Sequence, residues 1–270
     1  MQPQISKVES GVSLDLAATS FPVRIDRPDW YPQRFFVPEE FKNWNVNFPE
    51  YAPSHVRFQN EGKPNKGWDP IDLKEVTRPF KSFTGEVKLD AEGRPLNPLG
   101  RTGIQGAGEL WFWGANFAAD PIITRISPKT GRLEAILIQR KDTGDLAIPG
   151  GMVDASDMNI SKTLARELGE ETSAELDMEG ATILFRGVVN DRRNTDNRWI
   201  ETTVAHRHLT EEQAAEIALK EGDDAKAVDW IDLTPRVVDS LYADHGKYVR
   251  LALEQIAQSK SADVSSDIIR

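Results

Sequence analysis

The chain has 270 residues, 39% of them hydrophobic and 28% charged, which is enough apolar material for one large domain or two modest ones with buried cores. A formal net charge of -10 leaves no basic field to gather phosphates and so excludes broad nucleic-acid binding; an anionic small molecule stays open to a site that supplies metal ions and placed arginines. With no cysteine in the chain, disulfides, thiolate catalysis and thiolate metal sites are excluded as well.

The opening segment "MQPQISKVESGVSLDLAATSF" has neither the basic start and apolar core of a secretory leader nor the arginine density of a transit peptide. No apolar run nears the roughly 18 residues that span a bilayer. A cytoplasmic protein with no membrane partner is expected. "FPVRIDRPDWYPQRFFVPEEFKNWNVNFPEYAP" is dense in proline and aromatics and has no sustained period. It reads as irregular chain with short strands, ordered by its aromatics packing on something else. "FTGEVKLDAEGRPLNPLG" predicts a hairpin that turns near Glu92 and Gly93 and closes at Pro95. A Gly-rich link then leads to regular structure from about Pro121.

Strands are expected at "PIITRI" and "LEAILIQRK", on either side of the turn "SPKTGR", and a short one at "DLAIPGG", ending in a Gly pair. A helix is predicted from about Asn159 to Ala174, then strands at "ATILFRGVV" and "RWIETTVAHRHL". "LTEEQAAEIALK" reads as a helix, "AVDWIDL" as a strand and "GKYVRLALEQIAQ" as a closing helix; the polar tail "SKSADVSSDIIR" is expected to fray. Strands outnumber helices and alternate with them irregularly, which predicts an α/β (α+β) fold with a mixed sheet and helices on its faces. The domain reading is 1–115 as an aromatic and Pro-rich, irregular or β-rich cap region, 116–260 as the main domain and 261–270 as a tail.

The densest chemistry lies in "GGMVDASDMNISKTLARELGEETSAEL". Side chains three and four apart share a helix face, so Glu167, Glu170 and Glu171 point roughly one way, beside an apolar stripe of Ile160, Leu164 and Leu168. Each like-charge pair costs about 0.2–0.5 kcal/mol on an exposed helix, and acids near its C-terminal end oppose the dipole. A hard divalent cation reverses these signs, because oxygen donors at this spacing are what Mg²⁺ or Mn²⁺ accepts. A solvated acidic face is the plain alternative. Against it stand "AIPGG", a strand end that lets a ligand approach bare backbone, and the acidic loop with Asp154 and Asp157. Arg166, four residues before Glu170, is placed to brace that carboxylate.

This segment resembles the Nudix box, G-x5-E-x7-R-E-U-x-E-E-x-G-U with U apolar. Gly151 fits the glycine, and "RELGEE" from Arg166 to Glu171 matches the core without a change. Asp157 stands where Glu is usual, eight residues rather than seven separate it from Arg166, and Ser173 replaces the late Gly. The flanking motifs "GRPLNPLGRTG", "FAADPIITR", "NDRRNTDNRWIET", "EGDDAKAVDWIDL" and "LYADHGKYV" look like those of mitochondrial-type ADP-ribose pyrophosphatases and of the ADP-ribose-sensing domain of melastatin-type cation channels.

The resemblance implies a Nudix α/β/α sandwich that hydrolyses ADP-ribose to AMP and ribose 5-phosphate, with Glu167, Glu170 and Glu171 as both catalytic and metal-binding residues for Mg²⁺, or Mn²⁺. It implies substrate contacts at Asp191, Arg193, Tyr242 and His245, with Asp244 departing from an Asn seen in some relatives. Physically, Arg193 is a fork for phosphate or ribose and Asp191 an acceptor for ribose hydroxyls, with a solvated Asn- and Asp-rich turn as the plain alternative; Tyr242 and His245 can hold a sugar or adenine edge, or simply pack at a helix entry. Glu221, Asp223 and Asp224, from an acidic loop that supplies the base in some related hydrolases, are all candidates for that role, with Glu201 a weaker one. His206 and His208 alternate along their strand with no partner pattern and read as structural or surface residues. Two other functions remain: a Nudix hydrolase of another nucleoside diphosphate derivative, and a module that binds ADP-ribose without cleaving it. Oligomeric state stays open.

Overall fold

Aromatics and prolines without a period give little regular structure, and the N-terminal part holds only short elements. The computed structural model describes residues 25–63, 67–153, 160–172, 174, 176–220 and 225–268. Two single 3-10 turns, Glu39–Phe41 and Leu73–Glu75, accompany a parallel pair of strands, β1 (Ser54–Phe58) and β2 (Ile104–Gly108). The expected packing of the aromatics on something else is realised largely among themselves. Phe35, Phe41, Phe48 and Tyr51 stack or meet edge-on, and the Arg101 guanidinium sits over Trp44, Phe48 and Tyr51 at 5.0, 5.8 and 5.3 Å. Arg101 also donates to the carbonyls of Phe41, Asn43 and Val46, so a cation serves as the hub of an irregular chain. The turn at Glu92–Gly93 forms, with Gly93 N–H donating to Asp90, but a single bridge, Leu89 to Pro95, stands where a hairpin was expected.

The larger sheet is mixed and has seven strands. β3 (Gly114–Ile126) runs parallel to β8 (Arg198–His208) and antiparallel to β4 (Leu133–Arg140) and β6 (Gly151–Met152). β4 also pairs with β5 (Leu146–Ala147) and β9 (Ala225–Asp232), and β8 pairs with β7 (Thr182–Val188), all antiparallel. Both faces are covered, so strands read apolar throughout and the period of two sorts residues between two cores. Ala119, Ile123, Ile136 and Ala205 face helix α1 (Ile160–Thr172) through Leu164 and Leu168. Ile122, Ala135, Leu137 and Val204 face the opposite layer, with Val238 from α3 (Pro235–Asp239) and Tyr248, Val249 and Ala252 from α4 (His245–Ile268). This is a helix–sheet–helix sandwich.

Three element limits differ from the expectation. β3 begins at Gly114 and passes through Pro121, which falls in the stretch Asp120–Ile123 where β3 is laddered only to β8. A residue without an N–H is tolerated at such a place. Helix α2 (Glu211–Ala215) is short. It starts on a capping box between Thr210 and Gln213, then the chain turns so that Ile217 and Leu219 reach the core under α1. α4 continues to Ile268, through most of the tail expected to fray. Among the described residues no helix is long and apolar enough to cross a membrane.

Candidate active site

The gap between β4 and β6 along β3 opens the floor of a cleft of about 730 Å³. Its floor includes Asp120 and Thr202, one wall is α1, and the other carries Asp191, Arg193, Tyr242 and His245. Seven of the eight described residues expected at the site line one cavity, Glu167, Glu170, Glu171, Asp191, Arg193, Tyr242 and His245; the eighth, Glu201, does not. Asp154, Asp157, Glu175, Glu221, Asp223 and Asp224 lie outside the described residues.

Helix geometry places the acidic wall. Leu164 and Leu168 anchor α1 in the core, which turns Glu167, Glu170 and Glu171 toward the Gly pair. The N–H of Gly150 donates to Glu171 Oε2 at 2.9 Å. A β-carbon at Gly150 would collide with the Asp120 carboxylate and the Ala119 carbonyl, and one at Gly151 would displace the Glu167 carboxylate, so the Gly pair lets both acids lie close against the chain. Arg166 forks across two of the acids, Nη2 to Glu167 Oε1 and Nη1 to Glu170 Oε2, both at 2.7 Å. The bracing expected for Glu170 is thus shared with Glu167. Burial pushes the Glu167 carboxyl up to about 7 against the pull of Arg166, and the charges of Glu170 and Glu171 push the same way.

The opposite wall is also made of coupled groups. Arg193 donates through Nε and Nη2 to the two oxygens of Asp191 at 2.8 and 3.0 Å, which leaves Nη1 as the uncommitted edge of its fork. Burial opposes the guanidinium charge, but Asp191 outweighs it and holds the Arg193 pKa above its ordinary value. His245 accepts the Ile148 N–H at Nδ1, 3.0 Å, so its proton sits on Nε2. Burial, helped by the charge of Arg140, holds this imidazole down at about 3 and therefore neutral. Tyr242 meets His245 edge-on at 5.7 Å and carries the Arg140 guanidinium over its ring at 4.5 Å.

Two cleft residues escaped the sequence reading. Asp120 accepts the Thr202 hydroxyl at 2.6 Å, and burial pushes its carboxyl up to about 6. Its signal was a lone carboxylate inside an apolar strand. Arg140, at the end of β4, pairs with Asp142 at 2.8 Å and faces the same cavity. Glu201 points away: it is fully buried and accepts from Ser82, the Phe83 N–H and the Trp199 indole, so it does not reach the cleft. His206 and His208 share the Thr124 hydroxyl at 2.8 Å, a structural arrangement.

Among the described residues, seven carboxyl groups and four cationic side chains line the cleft, so an anion that enters it meets a surplus of like charge unless cations come with it. Among the described residues no three carboxyl or imidazole groups already converge as a ligand set, because Arg166 holds Glu167 and Glu170 on its own fork. The donors are all oxygen, flexible, and beside backbone stripped of β-carbons, a set that fits a hard divalent ion once Arg166 swings aside.

Residues 37–114 match the family described as NUDT9-like, N-terminal domain, and residues 121–251 match the NUDIX domain. A Caenorhabditis elegans protein named as a nudix hydrolase is 38% identical over 82% of this chain and 90% of its own length. The mitochondrial ADP-ribose pyrophosphatase of Rattus norvegicus is 35% identical over 87% of this chain and 77% of its own. A transient receptor potential cation channel subfamily M member-like 2 of Nematostella vectensis is 32% identical over 97% of this chain, which spans 19% of that channel. Identity at this level, across nearly the whole of a relative, accounts for the sandwich, the Gly pair and the acidic helix at once: the chain belongs to the Nudix hydrolases, with a NUDT9-like domain ahead of the NUDIX domain.

Proposed function

We propose that this protein hydrolyses the pyrophosphate bond of ADP-ribose to give AMP and ribose 5-phosphate. The observation that carries the reading is that one cleft joins the α1 carboxylates to the Asp191–Arg193 pair and the Tyr242–His245 pair. The named activity of the Rattus norvegicus relative supports the choice of substrate. Nudix hydrolases generally use divalent metals; here Mg²⁺, or Mn²⁺ in its place, is the ion we assign to Glu167, Glu170 and Glu171. Such an ion supplies neutralisation of pyrophosphate charge and a more acidic attacking water.

The chain's own groups then divide the work. Arg166 holds Glu167 and Glu170 in register and screens them from each other until an ion displaces it from the fork. Arg193, stiffened by Asp191, offers Nη1 to an anionic oxygen or a ribose hydroxyl. His245 Nε2–H donates without adding charge, and Tyr242 packs against the same part of the ligand. Asp223 and Asp224 remain the proposed base, taking the proton of water. The reading assigns catalysis to residues 116–260 and support of the substrate wall to residues 1–115, in a cytoplasmic protein.

The test is incubation of ADP-ribose with the protein and Mg²⁺, followed by assay for AMP. Release of AMP and ribose 5-phosphate is expected; bound but intact ligand overturns hydrolysis in favour of sensing. A panel of nucleoside diphosphate derivatives ranked by kcat/KM should place ADP-ribose first, and cell fractionation tests the compartment.

A further inference from the structure

The loop that carries Asp191 and Arg193 into the cleft is fastened from outside the NUDIX domain. Three successive carbonyls of that loop are each taken by a side chain from the N-terminal segment. Arg34 Nη2 donates to Arg192 O at 2.8 Å, Tyr31 Oη to Arg193 O at 3.2 Å, and both terminal nitrogens of Arg34 to Asn194 O at 3.2 Å. Arg34 Nη1 also donates to Thr102 O at 2.9 Å, which ties the guanidinium to its own segment beside β2. Tyr31 is buried and its oxygen accepts the Glu109 N–H at 2.7 Å, so the second clamp is as fixed as the first. On the cleft side Asp191 takes the backbone N–H, Nε and Nη2 of Arg193, which leaves Nη1 facing the cavity.

We infer that Arg34 is a positioning residue for substrate binding: its planar fork across the Arg192 and Asn194 carbonyls, with Tyr31 on the carbonyl between them, sets where the Arg193 guanidinium stands in the cleft. A charged donor shared by carbonyls on both sides of one residue fixes that residue's backbone, and the rigid five-donor geometry of Arg does this where a Lys point charge cannot. Arg34 touches no cleft atom itself, so its influence falls on ligand affinity rather than on bond breaking. The inference rests on the reading that Arg193 meets the ligand, and it adds that the affinity of the cleft is set partly from outside it.

The experiment uses the full chain and three proteins: wild type, Arg34→Lys and Arg101→Lys. Arg101 holds the carbonyls of Phe41, Asn43 and Val46 within the N-terminal segment and donates to no carbonyl of the 191–194 loop, so its variant loosens the same segment while the Arg34 donors to that loop stay in place. KM and kcat for ADP-ribose are measured together with amide hydrogen exchange over 191–198. For Arg34→Lys, KM is expected to rise about tenfold with kcat within about twofold, and exchange at Arg193 and Asn194 to quicken. Arg101→Lys should lower the melting temperature and leave KM where it was. Equal rises in KM in both variants, an unchanged KM in Arg34→Lys, or a fall in kcat alone would each overturn the inference. Exchange needs no substrate: quickened exchange in Arg34→Lys together with a wild-type protein that does not cleave ADP-ribose would sink the proposed activity and leave the clamp standing.

Discussion

Side chains at this site work in pairs, and each pair carries a functional consequence. Glu170 is half-exposed and bound to Arg166, and Glu171 holds the Gly150 N–H. Replacing either by Gln keeps shape and a hydrogen-bond acceptor but removes a charge. Glu170→Gln and Glu171→Gln should each lower kcat for ADP-ribose by at least about a hundredfold. The melting temperature of Glu170→Gln should shift little, because an exposed ion pair contributes at most about 1 kcal/mol. Steady-state rates and thermal melts read both effects; near-normal turnover in the two variants would move the metal site elsewhere. These acids were legible in the sequence because a helix repeats its faces every three and four residues. Asp120 was not legible, since its place beside Gly150 arises only when β6 pairs with β3 at Ala118 and Ala119.

At the scale of elements, the loop 191–197 is held by buried polar contacts rather than by a ladder. Asp196 accepts from the Tyr51 hydroxyl at 2.6 Å and from the Thr102 N–H and hydroxyl at 2.7 and 2.9 Å. Burial still pushes its carboxyl up to about 6 from 3.8, with those donors pulling the other way. A carboxyl raised in the folded state binds its proton more tightly there than when unfolded. Its contribution to stability is therefore full below about pH 4 and is lost as pH rises through about 6. The loss amounts to ~3 kcal/mol at neutral pH. Asp196→Asn should thus gain stability relative to wild type between pH 4.5 and 7.5, read from urea midpoints at both; a constant difference would remove this account of the loop. The sandwich strands were readable from their apolar runs, but the clamps were not, because Arg34 and its carbonyl partners in the 191–197 loop stand about 160 residues apart and no local pattern links them.

At the scale of the whole molecule, β3 is common property. Its first half, from Gly114, is laddered to β8 beneath the N-terminal segment, and its second half lies between the two helical layers. A fragment of residues 121–270 loses that first half and the cover over Trp199 and Arg198, both fully buried. It should fail to show the cooperative melt of the full chain and should expose apolar surface to a dye such as ANS. A sharp thermal transition with undiminished kcat/KM in that fragment would show the N-terminal segment to be dispensable. The start of β3 is blurred in the sequence for a physical reason: Pro121 inside it resembles a strand's first residue, so the strand is expected there and not at Gly114.

The fork of Arg166 across Glu167 and Glu170 has one more consequence. The acidic edge of α1 carries its own resident counter-ion, so treatment with a chelator should leave the melting temperature nearly unchanged. A fall in melting temperature of many degrees on chelation would instead show that a bound ion, and not this arginine, balances the acids.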